Sequence, residues 1–484
     1  MNESLHTLEP KRIWAFFQEL SRIPRASGKT QAVQAWLKQF ATDRNLPFVQ
    51  DAVGNLVIRK AASPGKEDRP SVCLQAHMDM VCEKNADSTH DFDRDPIEMY
   101  IDGEWLKAKG TTLGADNGIG MAAQLAVLDD TSLQHGPVEC LFTVDEETGL
   151  VGAYGLGSDV LKSDLLINLD SEDEGEIFIG CAGGMNSRFT FDFEQEPLPD
   201  KYFCFQVNLS GLQGGHSGDD IEKGRGNANH LLARFMWQLH QMTDLRLIDY
   251  KGGNLSNAIP REASFSAAVP HEMKEPIRVE VNCFLADLEE EYGDVEPKMR
   301  LDVQSIAKPE KVLRKADSTR FISALYTCPT GVIRMSQRMP GMVETSLNLA
   351  SVKPVSDQRW IITTSQRSSI ETAKQALSQR LEALFCLAGM DVEHGDGYPG
   401  WKPNPSSALV QNVSDAYLRL FAKEARVRTI HAGLECGLFL SKYPGLDMVS
   451  FGPTMRGVHS PDERMHIPSV QPFWDLLVET LRVL

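Results

Sequence analysis

Apolar residues recur at helical spacing where the chain begins. Ile13, Phe16, Phe17, Leu20 and Ile23 share one face over Leu5–Ile23, with Pro10 near the start, and Val33, Trp36, Leu37 and Phe40 repeat the pattern over Thr30–Ala41. Phe48–Val53, Gly54-Asn55 and Leu56–Arg59 then predict strand, turn and strand. Ser71–Ala76 is a short apolar run that delivers His77-Met78-Asp79. Glu83–Lys109 is irregular, apart from a hairpin signal at Met99–Ile101, Asp102-Gly103 and Trp105–Lys107. After Gly110–Gly120, which carries Asp116, a helix is predicted over Met121–Leu128. Cys140–Val144 is a buried strand pattern running out into Asp145-Glu146-Glu147, and Leu165–Leu169 is another that ends on Asp170. Strands alternating with helices predict an α/β fold, a mixed sheet with helices on both faces. Ligands of such sheets sit beyond the carboxyl ends of strands, where His77, Asp145–Glu147 and Asp170 all fall.

The character changes around Gly180–Gly184. Phe203–Leu209 is strand-like and leads to Gly211–Gly218, which holds His216; Asn227–Met242 is a strong helix pattern. Ile259–Val269 alternates as an antiparallel strand does, and Trp360–Thr364, Arg367 and the helix pattern Ile370–Ala388 follow. From about Val392 the first character returns, with His459 in the loop between the strand-like Met448–Phe451 and a terminal helix at Val470–Leu484. The expected organisation is a discontinuous catalytic domain, residues 1–186 and 392–484, interrupted by an inserted α+β domain, residues 187–391.

The 484 residues, 42% of them hydrophobic and 24% charged, describe a globular protein of more than one domain. A net charge of −18 argues against nucleic acid and anionic membranes as partners, because both select clustered Lys and Arg. Met1–Pro10 has no apolar run of a signal peptide, and no stretch approaches the roughly 20 apolar residues of a membrane helix. Nine scattered cysteines without a CxxC pair fit a reducing compartment, hence the cytoplasm.

Asp145, Glu146 and Glu147 repel one another at the mouth of a strand, and a divalent cation is an economical compensation; an acidic loop in water is the alternative. His77/Asp79, Asp116, Glu146/Glu147, Asp170 and His459 together offer imidazole and carboxylate without thiolate, a set suited to zinc, manganese or cobalt. Two imidazoles and three carboxylates exceed one open zinc site and match two metals that share a bridging carboxylate.

Ordered motifs run through nearly the whole chain: Gln75-Ala-His-Met-Asp-Met80, Gly110-Thr-Thr-Leu-Gly-Ala-Asp-Asn-Gly118, Asp145-Glu-Glu-Thr-Gly149, Asn168-Leu-Asp-Ser-Glu172, Gly214-Gly-His-Ser-Gly218, Asn257-Ala-Ile-Pro-Arg261, His431-Ala-Gly-Leu-Glu435 and His459-Ser-Pro-Asp-Glu463. In these the chain resembles the dinuclear-zinc aminoacylase, carboxypeptidase and dipeptidase superfamily, and within it the dipeptidases. The resemblance implies that His77 and Asp170 hold one metal, Glu147 and His459 the other, and that Asp116 bridges both. Zinc is the expected metal, with cobalt or manganese as alternatives. Asp79 would accept the other imidazole N–H of His77, unless it is a loop-capping Asp. Glu146 would be the general base, taking a proton from a water held at the metals and giving it to the leaving amine. His216 would polarise the scissile carbonyl or be a turn histidine; Asn257 and Arg367 are candidates for the substrate's terminal carboxylate, Arg367 being the better charge match, or else surface polar residues. Glu463, Asp462, His466, His90 and His431 receive no role. A cis peptide after Asp116 is also implied. The expected activity is hydrolysis of unblocked dipeptides, Xaa-His and broader, by a cytoplasmic homodimer joined through the inserted domain, which would also serve as a lid. An N-acyl amino acid amidohydrolase or carboxypeptidase, a two-metal phosphoesterase and an inactive peptide-binding protein are the alternatives.

Overall fold

The computed structural model describes Leu5 and residues 7–484, so most of the expectation for Met1–His6 lies outside the described residues. The chain forms two compact units: residues up to Gly180 with Trp401–Thr429 and Leu434–Leu484, and Cys181–Gly400 with Ile430–Gly433. The boundary expected at Ser187 falls inside the strand Gly183–Asp192, and the one expected after Asp391 falls inside Asp391–His394, which pairs with that same strand. Pairing therefore carries the second unit outward at both ends.

The first unit is built on an eight-stranded sheet in the order 48–50, 56–60, 138–143, 72–77, 165–168, 447–450, 176–181, 426–430. Its centre is parallel: Val138–Thr143, Val72–His77, Leu165–Asn168 and Asp447–Ser450 run side by side in one direction. Val72–His77 and Val138–Thr143 are buried at every position, as central parallel strands are. All four end on the same edge of the sheet, and every one is followed by candidate site residues. The helix Ala115–Asp129 packs on Val72–His77, and its Gln124 amide, fully buried, donates to the carbonyls of Leu74 (2.8 Å) and Leu141 (3.0 Å). Lys11–Leu20 packs against that helix. It stops short of Ile23, because the residue before Pro24 is kept out of the helical region and Ser21 Oγ takes up the Phe17 carbonyl at 2.8 Å.

One predicted turn was misplaced. The strand pairing is Phe48–Gln50 with Leu56–Ile58, and residues 51–55 form the loop rather than Gly54-Asn55 alone. Asp51 Oδ1 accepts the amides of Val53, Gly54 and Asn55, which pulls the backbone out of the ladder. The hairpin Met99–Asp102/Trp105–Ala108 forms as expected, and Arg464–His466 and Met455–Arg456 extend it to four strands. The loop bearing His459 is thereby pinned at both ends.

The second unit is a nine-stranded antiparallel sheet. Its order is 300–305, 202–210, 263–270, 246–252, 343–356, 359–368, 183–192, 391–394, with Gly331–Met335 also paired to Val343–Ser356. Ala228–Met242, Lys274–Tyr292, Lys315–Thr327 and Glu371–Leu387 supply its helices. Phe189, Phe191, Phe205, Phe235, Phe265, Phe284, Phe321 and Phe385 dominate its core. The predicted alternation over Ile259–Val269 is not realised. The strand is Ala263–Pro270, buried on both faces, while Ile259 leaves it to pair with Gly215.

Candidate functional site

In the first unit the expected ligands converge. His77 ends the strand Val72–His77 and is buried, with its Nε2 2.9 Å from Asp116 Oδ1 and 3.5 Å from Asp170 Oδ1. The other oxygen of Asp116 lies 3.0 Å from His459 Nε2, which is also 3.0 Å from Glu147 Oε2. One carboxylate thus faces two clusters, His77–Asp116–Asp170 and Asp116–Glu147–His459, and within each the donor atoms lie within 4.8 Å of one another. His77, Glu146 and Glu147 form a third such group. The Asp116–Asn117 peptide is cis, and both residues have non-helical backbone inside the helix Ala115–Asp129. The Asn117 amide donates to Asp170 Oδ1, and its oxygen accepts the Gly120 amide at 3.0 Å.

Asp79 does two jobs. Its Oδ1 lies 3.4 Å from His77 Nδ1, and its carboxylate accepts the backbone amides of Glu146 (3.0 Å) and Glu147 (3.2 Å) and the Ser27 hydroxyl (2.7 Å). The imidazole and the acidic loop after Val138–Thr143 are therefore set by one side chain. Burial opposes ionisation of Asp79, but the bonds from His77, Ser27 and the Glu146 amide outweigh it and hold the carboxyl at about 2.

The crowding of acids shows in the other protonation equilibria. Burial, opposed by His77 but reinforced by Asp170, Glu435 and Glu147, pushes Glu146 well above the carboxylate range. Burial pushes Asp170 up to about 6 and Glu172 up to about 8. The bonds to Asp116 and Glu147 raise His459 to about 11. Asp116 is lowered: burial opposes its ionisation, and its bonds to His459 and His77 prevail.

Three buried residues that received no role in the sequence hold this arrangement. Glu463 is 2% exposed and accepts four backbone amides, Leu113 (2.7 Å) and Gly114 (3.0 Å) on one oxygen, Ala115 (2.8 Å) and Asp116 (3.3 Å) on the other. Arg25 donates to the carbonyls of Met78 (3.1 Å), Asp79 (2.9 Å) and Gly114, bracing the same loop from the His77 side. Glu435 accepts from Gln75 Nε2 at 2.5 Å and Thr143 Oγ at 2.8 Å, behind the ends of two central strands, and burial lifts it to about 8. Glu463 and Glu435 each close a quoted motif, the only signal they gave; Arg25 gave none.

His216, Asn257 and Arg367 belong to the second unit. His216 pairs with Ala258, and the Asn257 carbonyl accepts the Ser217 amide at 2.8 Å, so the two turns form a short ladder; the Asn257 side chain is exposed. The Gly218 and Asp219 amides lie 3.3 and 3.2 Å from His216 Nδ1, and the Asp219 carboxylate lies 3.5 Å from the same nitrogen, which leaves Nε2 as the ring nitrogen without a protein contact among the described residues. Arg367 sits within the strand Arg359–Ser368, not beyond it as expected. It is 7% exposed and donates to the Tyr398 hydroxyl at 3.1 Å. Opposite it in register, Ser346 bonds His431 Nε2 at 2.7 Å, and burial followed by the Arg367 charge lowers His431 to about 4.

The residues fit a pair of divalent cations. The donor set is imidazole and carboxylate, and Glu147 Oε1 is buried with no hydrogen-bond partner among the described residues, as suits an oxygen that ligates. No Lys or Arg forms an ion pair with Asp116, Glu147 or Asp170 among the described residues.

The chain is 45% identical over 478 residues to the cytosol non-specific dipeptidase of Escherichia coli (strain K12), covering 99% of this chain and 98% of that one. A solved structure, the aminoacylhistidine dipeptidase of Vibrio alginolyticus, superposes with a TM-score of 0.94 at 44% identity, covering 100% of this chain and 98% of the other. The aminopeptidase PepT of Bacillus cereus shares the fold at 17% identity, with a TM-score of 0.62 and 98% of each chain covered. Residues 73–483 match the model of peptidase family M20/M25/M40, the family to which the chain belongs.

Proposed function

We propose that the chain is a metal-dependent dipeptidase acting on unblocked dipeptides, Xaa-His among them. The observation that carries the reading is the single Asp116 carboxylate with one oxygen on the His77 side and the other on the His459 side. The names of the two relatives at 44–45% identity over nearly the whole chain support the substrate class.

His77 and Asp170 would hold one divalent ion, Glu147 and His459 the other, and Asp116 both; zinc is the metal proposed, with cobalt or manganese as substitutes. Bound there, the ions supply Lewis acidity to a carbonyl oxygen and acidify water. Glu146 provides the base. Its carboxylate takes a proton from the attacking water and delivers it to the amine as the C–N bond breaks. Its neighbour Glu147 turns to the His459 side, and Asp79 holds both amides, which lets adjacent residues serve different roles. His216 is assigned to the oxyanion, and Arg367, with Asn257, to the terminal carboxylate of the substrate.

The second unit, a lid in this reading, is assigned substrate length selection and dimer formation. We place the enzyme in the cytoplasm, which the name of the E. coli relative supports; among the described residues no helix is long and apolar enough to cross a membrane. The test is a panel with zinc-reconstituted protein: dipeptides, a tripeptide and an N-acetyl amino acid. Cleavage confined to dipeptides is the expected result. Preferential cleavage of the N-acetyl compound would move the chain to the amidohydrolases.

A further inference from the structure

We infer that Tyr398 is a positioning residue for Arg367, setting the guanidinium that meets the substrate's terminal carboxylate; this rests on the carboxylate role proposed for Arg367. Every residue in the argument lies in the second unit. An arginine in a strand has a long, freely rotating stem, and bidentate recognition of a carboxylate needs its plane fixed. Arg367 donates to the Tyr398 hydroxyl at 3.1 Å, while its Nε, also buried, has no partner among the described residues. The phenol oxygen therefore orients the guanidinium from one end.

The phenol is itself fixed on backbone and ring. Tyr398 and Gly184 exchange backbone hydrogen bonds, 2.8 Å from the Tyr398 amide and 3.1 Å to its carbonyl, and the buried Lys374 amine donates to the same carbonyl at 2.5 Å. Gly184 is the register partner of Arg367 on the neighbouring strand. The ring lies against two glycines from distant segments. A Cβ at Gly184 would come within 2.7 Å of Tyr398 Cζ and Oη, and a Cβ at Gly433 within 2.7 Å of Cε2. Contacts under 3.0 Å with a ring locked at its backbone are not relieved by a small shift, so both positions exclude any side chain while Tyr398 stands where it does. The strand partner of Arg367 is thus bare, and the space is filled by an aromatic ring whose hydroxyl ends on the guanidinium. Gly433 follows His431 by two residues, so the quoted His431–Glu435 motif contributes to this seat as well.

Tyr398→Phe removes the hydroxyl and keeps the ring in its seat, so the fold should survive, which an unchanged thermal midpoint checks. Kinetics are measured on matched dipeptides with a free C-terminal carboxylate and with a C-terminal amide. Tyr398→Phe is expected to raise KM for the acid about 3- to 10-fold, the worth of one hydrogen bond, with kcat nearly unchanged and the amide little affected. Arg367→Ala should produce a larger loss of the same kind. In the double variant, Tyr398→Phe should add no further loss on the acid, because its effect passes through Arg367. Equal losses on acid and amide for Tyr398→Phe, or a full additional loss in the double variant, would overturn the role of Tyr398 while leaving that of Arg367 intact. Equal losses on acid and amide for Arg367→Ala would remove the carboxylate role from Arg367, and the role of Tyr398 with it.

Discussion

Glu463→Gln isolates what holds Asp116, the proposed bridging carboxylate, in place. The side chain keeps its size, but one carboxylate oxygen becomes an NH2 group. In the native protein the two oxygens accept four amides in two pairs, Leu113 with Gly114 and Ala115 with Asp116. Whichever way the glutamine amide turns, its NH2 faces two N–H donors that then have no acceptor. Each buried polar group left unsatisfied costs about 1–3 kcal/mol, so the pair costs about 2–6 kcal/mol. Part of this is offset. Burial already pushes Glu463 above the ordinary carboxylate range, against the bonds from its amides, so removing the charge relieves some desolvation. The buried Arg25 guanidinium beside it loses a countercharge, which acts the other way. A net loss of about 2–4 kcal/mol results, a large part of the about 5–15 kcal/mol of a folded domain.

The assay is urea unfolding of both proteins after chelation, so that metal affinity does not enter. A second measurement is metal titration by calorimetry. Because the Asp116 amide is one of the four donors, loosening this loop should weaken metal binding about 10- to 100-fold, the usual effect of losing a group that orients a ligand. A variant within about 0.5 kcal/mol of the parent, with unchanged metal affinity, would refute the reasoning, since that is the range of a neutral surface substitution.

Four further outcomes are expected. Chelation should abolish activity and zinc or cobalt restore it, with two equivalents of metal by elemental analysis; full activity in verified metal-free protein would end the reading. Glu146→Gln should keep both metals, since Glu147 is untouched, and lose about 10²–10⁴-fold in kcat; loss of metal instead would mean that the two glutamates have exchanged roles. His216→Ala should lower kcat on acid and amide substrates alike, and an unchanged kcat would return His216 to a turn residue. Without metal, the folded protein holds Asp170 at about 6, Glu172 and Glu435 at about 8 and His459 at about 11, all above their unfolded values. The native state then binds more protons than the unfolded one, so stability of the chelated protein should fall as pH rises from about 5 to about 8. Asp79, held at about 2, affects only strongly acid solutions. A flat or rising midpoint over that range would contradict the charge crowding.

Much of the first unit was legible because its central strands are uninterrupted apolar runs that stop where the chemistry begins. His77 is the last residue of one, Asp170 stands two residues after another, and Glu146 and Glu147 follow a third. The order of these runs in the sheet was not legible. Glu463 reaches amides almost 350 residues earlier in the chain, and no periodicity reports a contact at that separation. Arg25 looked like any charged residue after a helix, yet it is 2% exposed and spends its donors on carbonyls. The strand Ala263–Pro270 was misread because Ser264 and Ser266 mimic an outward face; between two neighbouring strands they are buried instead. Asp51 hid its effect because a side chain that bonds the amides two to four residues on leaves no periodic trace in the apolar pattern.

Fold and chemistry are joined through charge. Asp79, Asp116, Glu146, Glu147, Asp170, Glu172, Glu435 and Glu463 gather at or behind one edge of the sheet, all largely withdrawn from water. Among the described residues no Lys or Arg forms an ion pair with any of these carboxylates, and the buried Arg25 is committed to three backbone carbonyls. His77 and His459 are left to neutralise the group, and without metal they do so by holding protons far above their ordinary range, between the same oxygens that are proposed to ligate. Those protons and a pair of divalent cations compete for the same lone pairs, so metal affinity should rise with pH over the range in which the chelated protein weakens. In the proposed reading, the acid crowding that makes the empty site costly also favours bound cations. Replacing one of the acids with raised proton affinity by its amide should therefore stabilise the chelated protein wherever neither a backbone amide nor a protonated imidazole depends on it. Glu172→Gln meets that condition and Glu463→Gln does not, so the two variants should move the chelated protein's midpoint in opposite directions.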